Sequence, residues 1–483
     1  MQSKHFDMGI VGLGVMGANL GLNIASRGRR VAGYDPDSAK AHTFGERGAA
    51  ELDAASGAQT AGSARLEDFV NALKTPRVLV LLVPANIVDS AIDSLVPHLA
   101  AGDILIDGGN SHFPDTERRL AKLAAASIHF IGMGVSGGEE GARHGPSMMP
   151  GGEAAAWERV RPLLEPAAAK AADGAPCIAW IGNSGSGHFV KMVHNGIEYG
   201  LMQLIAETYD LMYRGLGLPA ATIREHFTTW SQHQLAGYLI EITADILAQQ
   251  DADGSLLLEH IRDAARQKGT GRWTTEAALA LGIPTPTIDA AVTARGLSDF
   301  HALRQDGAKR FAGPLPATQQ ALLADAGLPA ALEGALQAAM LLTYAQGMHL
   351  IATANAEYDY GLDSGVVARI WRGGCIIRAA LLEDLSAAYA RDPELGNPAF
   401  DDALSARLGQ LQSELRRVVA AAATAGIPVP ALGSALAYYD ALRSPRLPAN
   451  LIQAQRDYFG AHTYERLDRE GTFHTQWTHG SGA

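Results

Sequence analysis

Hydrophobic positions fall into two textures along the chain. Up to about residue 183 they come as short continuous runs closed by glycine, proline or an acidic or amide residue, the pattern of strands buried on both faces. Residues 7–35, DMGIVGLGVMGANLGLNIASRGRRVAGYD, predict a strand ending at Val11, a tight turn, a helix that stops near Gly28, and a second strand from Val31 to Tyr34. VLVLLVPA (78–85) and DILIDGGN (103–110) predict further buried parallel strands, with Asn110 just past the carboxyl end of one. IHFIGMGVSGGEEGARHGPSMMPGG (128–152) predicts another strand opening into a glycine-rich loop, and CIAWIGN (177–183) is the last strand-like run.

From about 186 to 442 the pattern turns helical. In GSGHFVKMVHNGIEYG (185–200) and the residues after it, Val190, Val193, Ile197, Leu201 and Leu204 fall on one side of a helix. Lys191, His194, Asn195 and Glu198 form a stripe about 100° wide on the other. Alone, that is an ordinary amphipathic helix with a solvated face. GLMQLIAE (200–207) resembles QGMHLIAT (346–353) at an offset of 146 residues, which points to an internal duplication. Between the two copies, IRDAARQKGTGRWT (261–274) predicts a tight loop presenting Lys268, which by itself reads first as a surface turn with a solvated lysine. Past 443, RSPRLPAN ends the last helix, and QRDYFGAHTYERLDREGTFHTQW carries aromatics and charges with little periodicity. Such a tail is expected to pack on another surface. The expected fold is an α/β Rossmann-like dinucleotide-binding domain (1–185), then a large all-α domain (186–442) and an extended carboxy-terminal tail (443–483).

Composition narrows the function classes. With 483 residues, 47% of them hydrophobic, the chain is long enough for two or three domains with substantial cores. Its 39 basic and 51 acidic residues leave a net charge of −12, which disfavours nucleic acid or an anionic membrane as partner and requires any anionic ligand to be held locally. Only Cys177 and Cys375 occur, far apart and without metal-ligand spacing, so neither a disulfide framework nor a metal site is expected. With no secretion signal and no apolar run near spanning length, a cytoplasmic protein is expected.

The candidate chemistry begins at Gly12-Leu13-Gly14-Val15-Met16-Gly17. This GxGxxG lies between a strand and a helix, with the next strand in place, which is the dinucleotide-binding context. Missing Cβ atoms let the backbone turn and approach a pyrophosphate at the positive end of the helix. Asp35, 18 residues after Gly17, ends the second strand, where a carboxylate accepts from ribose hydroxyls. Asp35 and Asp37 repel a 2′-phosphate, so NAD is expected as the preferred cofactor, with NADP the other candidate. Arg29 and Arg30 lie just upstream, within reach of that site if the chain folds them back. Consecutive backbone N–H groups around Ser136, Gly137 and Gly138 are suited to cradle a carboxylate, with a merely flexible glycine loop as the alternative on local grounds.

Taken together, GLGVMGANL, DGGNS, GVSGGEEGARHGPSMMPGG, GSGHFVKMVHNGIEYG, QKGTGRW, IWRGGCIIR and PANLIQAQRDYFGAHTYER resemble the 6-phosphogluconate dehydrogenase family, the decarboxylating enzymes of the oxidative pentose phosphate route. The likeness covers essentially the whole chain. It implies a Rossmann domain, a helical substrate and dimerisation domain, and a tail that crosses to the partner in a homodimer. It further implies Lys191 as general base and Glu198 as general acid, with His194, Asn195 and Tyr199 holding the substrate. Asn110, Ser136, Gly137 and Gly138 would meet the carboxylate end of 6-phosphogluconate. Lys268 and Arg295, with Arg456 and His462 from the partner's tail, would meet the remainder, including the phosphate. The cofactor would lie along residues 12–17, Asp35, Pro36, Asp37, Val83, Pro84, Ala85 and Asn110.

Three departures from the family pattern stand out. Asp35-Pro36-Asp37 stands where many relatives carry Asn-Arg-Thr, removing the arginine that would hold a 2′-phosphate. Pro84 replaces a cofactor-side lysine, and Arg266 replaces a usual glycine. The competing readings are a β-hydroxyacid dehydrogenase that does not decarboxylate and a non-catalytic dinucleotide sensor. A paired acid and base at Lys191 and Glu198 argues against the sensor, and the phosphate-side residues argue against the simpler dehydrogenase.

Overall fold

The computed structural model describes residues 5–267, 269–314, 325 and 327–477. Lys268, expected on a tight loop, lies outside the described residues. The chain divides into two compact units, Met1–Ala435 and Leu436–Ala483.

The first unit is built on a seven-stranded sheet. Its strands are β1 (Met8–Val11), β2 (Arg30–Tyr34), β3 (Gln59–Ser63), β4 (Val78–Leu81), β5 (Ile104–Asp107), β6 (His129–Ser136) and β7 (Ser147–Gly152). They lie in the order β3-β2-β1-β4-β5-β6-β7. The first six run parallel, and β7 pairs antiparallel with β6. The order reverses between β1 and β4, the switch point where ligands sit in open α/β sheets. Helices cover both faces, so successive residues of one strand enter different cores. Ile10, Val80 and Ile106 join Leu20, Ile24 and Phe44 on one side, while Val11, Leu79, Leu81 and Leu105 join Phe69, Val88 and Ile92 on the other. That is why the strands read as continuous apolar runs rather than as alternation.

Two expectations about the sheet are corrected. The glycine-rich stretch after β6 is not an open loop; it forms the short helix Gly138–His144 and then β7. CIAWIGN forms no strand, and only Ile178 and Gly182 pair with β7, as isolated bridges to Met148 and Gly151. Pro150 has no N–H to continue the ladder at the centre of that pairing, and Gly182 leaves the strand conformation at φ +151°.

The rest of the first unit is helical. A central helix, Ser186–Asp210, and the 31-residue helix Leu328–Tyr358 carry the two similar segments noted in the sequence. They press together at glycines. A Cβ on Gly200 would come within 2.6 Å of Thr343, and one on Gly347 within 2.5 Å of Ile197. Near its end the central helix places the buried Glu207 carboxylate at the first turn of helix Pro430–Leu442, accepting from Ala431 N at 2.8 Å and Leu432 N at 2.9 Å.

The second unit is more ordered than its sequence suggested. It holds helix Ala449–Gly460 and a hairpin of Tyr464–Glu465 with Thr472–Phe473. The organiser is Asp457, a fully buried carboxylate. It accepts from Thr463 N, Thr475 N, the His474 ring and Trp477 Nε1 at 2.7–3.0 Å. Burial works against that charge, but these donors win and hold the carboxyl well below its usual range. Contacts with residues distant in sequence impose this order, which local periodicity does not reveal.

Candidate active site

The central helix reaches its place because the sheet beside it lacks side chains. A Cβ on Gly187 would lie 2.2 Å from Gly132 O, and one on Gly134 would lie 2.3 Å from Lys191 Cβ. Those absences let the first turns lie directly on β6, and the polar stripe is carried inside the protein. Lys191 is 6% exposed, His194 0%, Asn195 8% and Tyr199 5%, so the solvated-face alternative does not hold. Glu198, two turns beyond Lys191, retains 23% of its side-chain exposure.

His194 connects the stripe to the sheet. Its Nδ1 lies 3.3 Å from Lys191 Nζ and 3.1 Å from Asn195 Oδ1, while Nε2 lies 3.1 Å from Ser136 Oγ. Glu198 Oε2 is 4.0 Å from the same Nδ1. Burial and the neighbouring Lys191 charge push the ring's pKa well below its ordinary value, so it is neutral. A neutral ring donates from one nitrogen and accepts at the other, which makes it a fixed link between Lys191 and Ser136 whichever tautomer is present.

Lys191 and Glu198 are displaced in opposite directions. Burial lowers the pKa of the Lys191 amine, against the opposing pull of Glu198 and Cys375. Burial raises that of the Glu198 carboxyl, against Lys191 and Arg295. Burial thus favours the neutral form of each group, the free amine of Lys191 and the protonated carboxyl of Glu198, and opposite displacement of two neighbouring groups is the pattern that suits an acid–base pair.

Arg295, on helix Pro286–Asp299, stacks its guanidinium 3.4 Å from the centre of the Tyr199 ring. It has no carboxylate partner among the described residues, so its charge stays available to a ligand. Gly137 and Gly138 follow Ser136 with φ of +114° and +62°, conformations that favour glycine. Asn110 stands exposed at the end of the turn after β5.

The site also uses residues to which the sequence attached no role. Trp371 packs edge-on against His194 at 5.6 Å, and Ile376 N donates to Ser136 Oγ at 3.4 Å. Both belong to IWRGGCIIR, whose tryptophan before a Gly-Gly turn was the available signal. His112, two residues past Asn110, stacks on Trp273 at 4.7 Å.

At the switch point the three glycines have separable tasks. Gly12 turns with φ +93°, and a Cβ there would meet Leu82 O at 2.6 Å. A Cβ on Gly17 would lie 1.8 Å from Gly12 O, so that glycine sets the approach of helix Val15–Ala25 to β1. Around Gly14 nothing comes within 4 Å, and the helix that starts there has no side-chain cap. Open backbone amides at a helix start fit a dinucleotide pyrophosphate. Met16 packs against the core, Val15 is exposed, and Val83, Pro84 and Ala85 border the turn after β4.

Asp35 is buried at the end of β2, accepting from Leu13 N and Asp37 N at 3.0 Å each. Each oxygen keeps a lone pair for a ribose hydroxyl. Pro36 connects it to Asp37, which caps helix Ser38–Glu51 through Ala39 N. Arg29 and Arg30 do not fold toward this end. Arg29 donates to Pro162 O, and Arg30, at the opposite end of β2, binds Gln59 and His5 O. The cation that does approach is Lys40, 4.0 Å from both Asp35 and Asp37, which no spacing argument had singled out.

In the second unit, Arg456 and His462 are both exposed. Arg456 donates to Gln453 Oε1 at 3.1 Å, and His462 packs edge-on against Phe459.

Comparison with known proteins agrees with this layout. Residues 7–182 match the family described as "NAD binding domain of 6-phosphogluconate dehydrogenase", and residues 187–477 match "6-phosphogluconate dehydrogenase, C-terminal domain". The NADP(+)-dependent, decarboxylating 6-phosphogluconate dehydrogenase of Bacillus subtilis is 49% identical over 475 residues, 98% of this chain and 99% of that protein. The decarboxylating enzyme of Schizosaccharomyces pombe is 46% identical over 489 residues, 99% of this chain and 97% of that protein. Among solved structures, 6-phosphogluconate dehydrogenase of Plasmodium falciparum, described as apo and in complexes with NADP+ and with 6-phosphogluconate, aligns with a TM-score of 0.90 at 40% identity. That alignment covers 98% of this chain and 100% of the other. Because both halves match in order and the likeness runs nearly end to end at these identities, the chain belongs to the 6-phosphogluconate dehydrogenase family.

Proposed function

We propose that the buried stripe of the central helix carries out the oxidative decarboxylation of 6-phosphogluconate to ribulose 5-phosphate and carbon dioxide. The observation that carries this reading is the chain of largely buried side chains on one helix, in which His194 Nδ1 lies 3.3 Å from Lys191 Nζ and 4.0 Å from Glu198 Oε2.

Lys191 takes the proton of the C3 hydroxyl as C3 is oxidised. Bound along residues 12–17, Asp35–Asp37 and Val83–Ala85, the nicotinamide cofactor supplies the hydride acceptor. The product is a β-keto acid, which loses carbon dioxide readily, so oxidation is the demanding step. The protonated Lys191 then donates to the developing enolate oxygen, and Glu198 delivers a proton to C1. His194 and Asn195 hold Lys191 and the sugar hydroxyls in register. Ser136, Gly137, Gly138 and Asn110 receive the carboxylate end. Tyr199, Arg295 and Lys268 receive the phosphate end, and no step calls for a metal.

The same reading divides the chain into a cofactor domain (1–185), a helical domain with an internal duplication (186–442) and a tail (443–483) that reaches a second subunit in the cytoplasm. Arg456 and His462 then complete the partner's phosphate site. Mixing Lys191→Met and Arg456→Met subunits tests this: activity reappears in the mixed dimer if the tail acts in trans and stays absent if it acts in cis.

For the cofactor, NAD is the preferred oxidant. Asp35 and Asp37 oppose a 2′-phosphate, and Lys40 is a single cation shared between the two. Absorbance growth at 340 nm with 6-phosphogluconate and either NAD or NADP tests both the reaction and the choice. No growth with either removes the reaction, and a higher kcat/KM for NADP removes the preference.

A further inference from the structure

Beneath the two loops at the sheet's carboxyl end lies a charge cluster that the reaction does not use. Its centre is Arg119, on helix Phe113–Ala124, with a side chain 3% exposed. Nε and Nη2 donate to the two carboxylate oxygens of Asp89 at 2.9 and 3.1 Å. Nη1 donates to Ser111 Oγ at 3.0 Å and to Asp107 Oδ2 at 3.3 Å. Asp107 is fully buried and also accepts from Ser111 Oγ at 2.6 Å and Gly109 N at 3.0 Å.

These partners belong to two different chain segments. Asp107 is the last residue of β5 and pairs in register with Leu81, the last residue of β4. From Asp107 the chain enters Gly108–Asn110. From Leu81 it passes Val83–Ala85 and enters helix Val88–Leu95, whose first turn holds Asp89. One planar guanidinium therefore ties the segment after β4 to the segment after β5.

We infer that Arg119 is a positioning residue that sets the spacing between the cofactor-side loop Val83–Ala85 and the substrate-side loop Gly108–Asn110. The inference rests on the reading that the nicotinamide and the sugar acid meet beside these loops. A forked, rigid donor holds two acceptors at a fixed separation, which a single ammonium cannot do. Stability alone gives little reason for the arrangement, because a packed apolar side chain often serves a buried position as well as an ion pair does. Misplacement of reacting groups by about 1 Å is worth up to roughly a hundredfold in rate, so the clamp acts mainly on turnover.

The test compares Arg119→Lys, Asp89→Asn and the double variant by steady-state kinetics and thermal melting. Asp89 is 44% exposed in its side chain, so Asp89→Asn keeps the question answerable if Arg119→Lys does not fold. The expected result is a fall in kcat of about tenfold or more in each variant, with KM for 6-phosphogluconate changed by less than about threefold. The double variant should be no worse than the poorer single one, because both break one unit, and Asp89→Glu should recover part of the loss. A kcat within about twofold of wild type in Asp89→Asn and in any folded Arg119→Lys, whatever the change in Tm, would overturn the inference. Asn110→Ala separates the two readings. If it is impaired while the clamp variants are normal, only the clamp fails; if it too is normal, the placement of the reaction beside these loops fails.

Discussion

Lys191 and His194 face each other across one helical turn, with Nζ 3.3 Å from Nδ1 and neither side chain appreciably wet. The ring is held neutral, and the amine is pushed in the same direction, toward losing its proton. An ordinary lysine is a poor base at neutral pH; burial displaces this one toward its free amine, while Asn195 and Ser136 fix the ring beside it.

Removing the amine should therefore separate chemistry from binding. In Lys191→Met, kcat should fall by about 10²–10⁴, the range for loss of a general base, while the fluorescence-measured Kd for the dinucleotide stays within about twofold. Near-normal turnover would remove the assignment. The same variant should melt at a higher temperature at neutral pH. The unfolded amine keeps its proton up to about 10.5, whereas the folded one releases it earlier, so burial of Lys191 costs stability below that range. The gap in Tm should close as pH rises toward 10.5.

Glu198 should govern the alkaline side of the pH–rate profile. Burial raises its pKa, so it remains a proton donor above the ordinary carboxyl range and fails once ionised. In Glu198→Gln, kcat should drop by about a hundredfold with little change in KM, and the alkaline limb due to this group should disappear. An unchanged profile would assign the limb, and the acid role, to another residue.

Arg295 is held over the Tyr199 ring with no carboxylate partner among the described residues. A charge-assisted bond to a phosphate is worth about 1.5–3 kcal/mol, so Arg295→Met should raise KM for 6-phosphogluconate roughly 10- to 150-fold. KM for the dinucleotide should hardly move. An equal rise in both would mean that the variant disturbs the fold rather than the phosphate end.

Glu207 offers a stability test away from the chemistry. Burial, opposed by bonds from Leu432 N, Ala431 N and Gln203, raises its carboxyl to about 7. Its folded pKa is thus above its unfolded value of 4.5, so the associated stability is present below 4.5 and lost as pH rises through about 7. Glu207→Gln keeps an oxygen for the helix amides without the buried charge. Its Tm should gain on wild type between pH 4.5 and about 7, and a constant difference across that window would contradict the account.

The cofactor half was largely legible because its determinants are local. The turn from β1 into helix Val15–Ala25 follows from Gly12, Gly14 and Gly17, and Asp35 sits where an 18-residue spacing puts it. CIAWIGN failed as a strand because its would-be neighbour carries Pro150, which no window around residues 177–183 contains. Trp371 and Ile376 could not be given roles from spacing, since they meet His194 and Ser136 only after the helical part folds back on the sheet.

By itself, then, the sequence determined the period of each element, the glycine turn, the family likeness and the order of residues around the central helix. Whether that helix's polar stripe met water or a pocket was a tertiary decision. Gly132, Gly134 and Gly187 allow the helix to lie flat on β6, and the loss of solvent around its stripe shifts the proton affinities of Lys191, His194 and Glu198. Periodicity records which side chains share a face, but desolvation depends on what the rest of the chain places against that face.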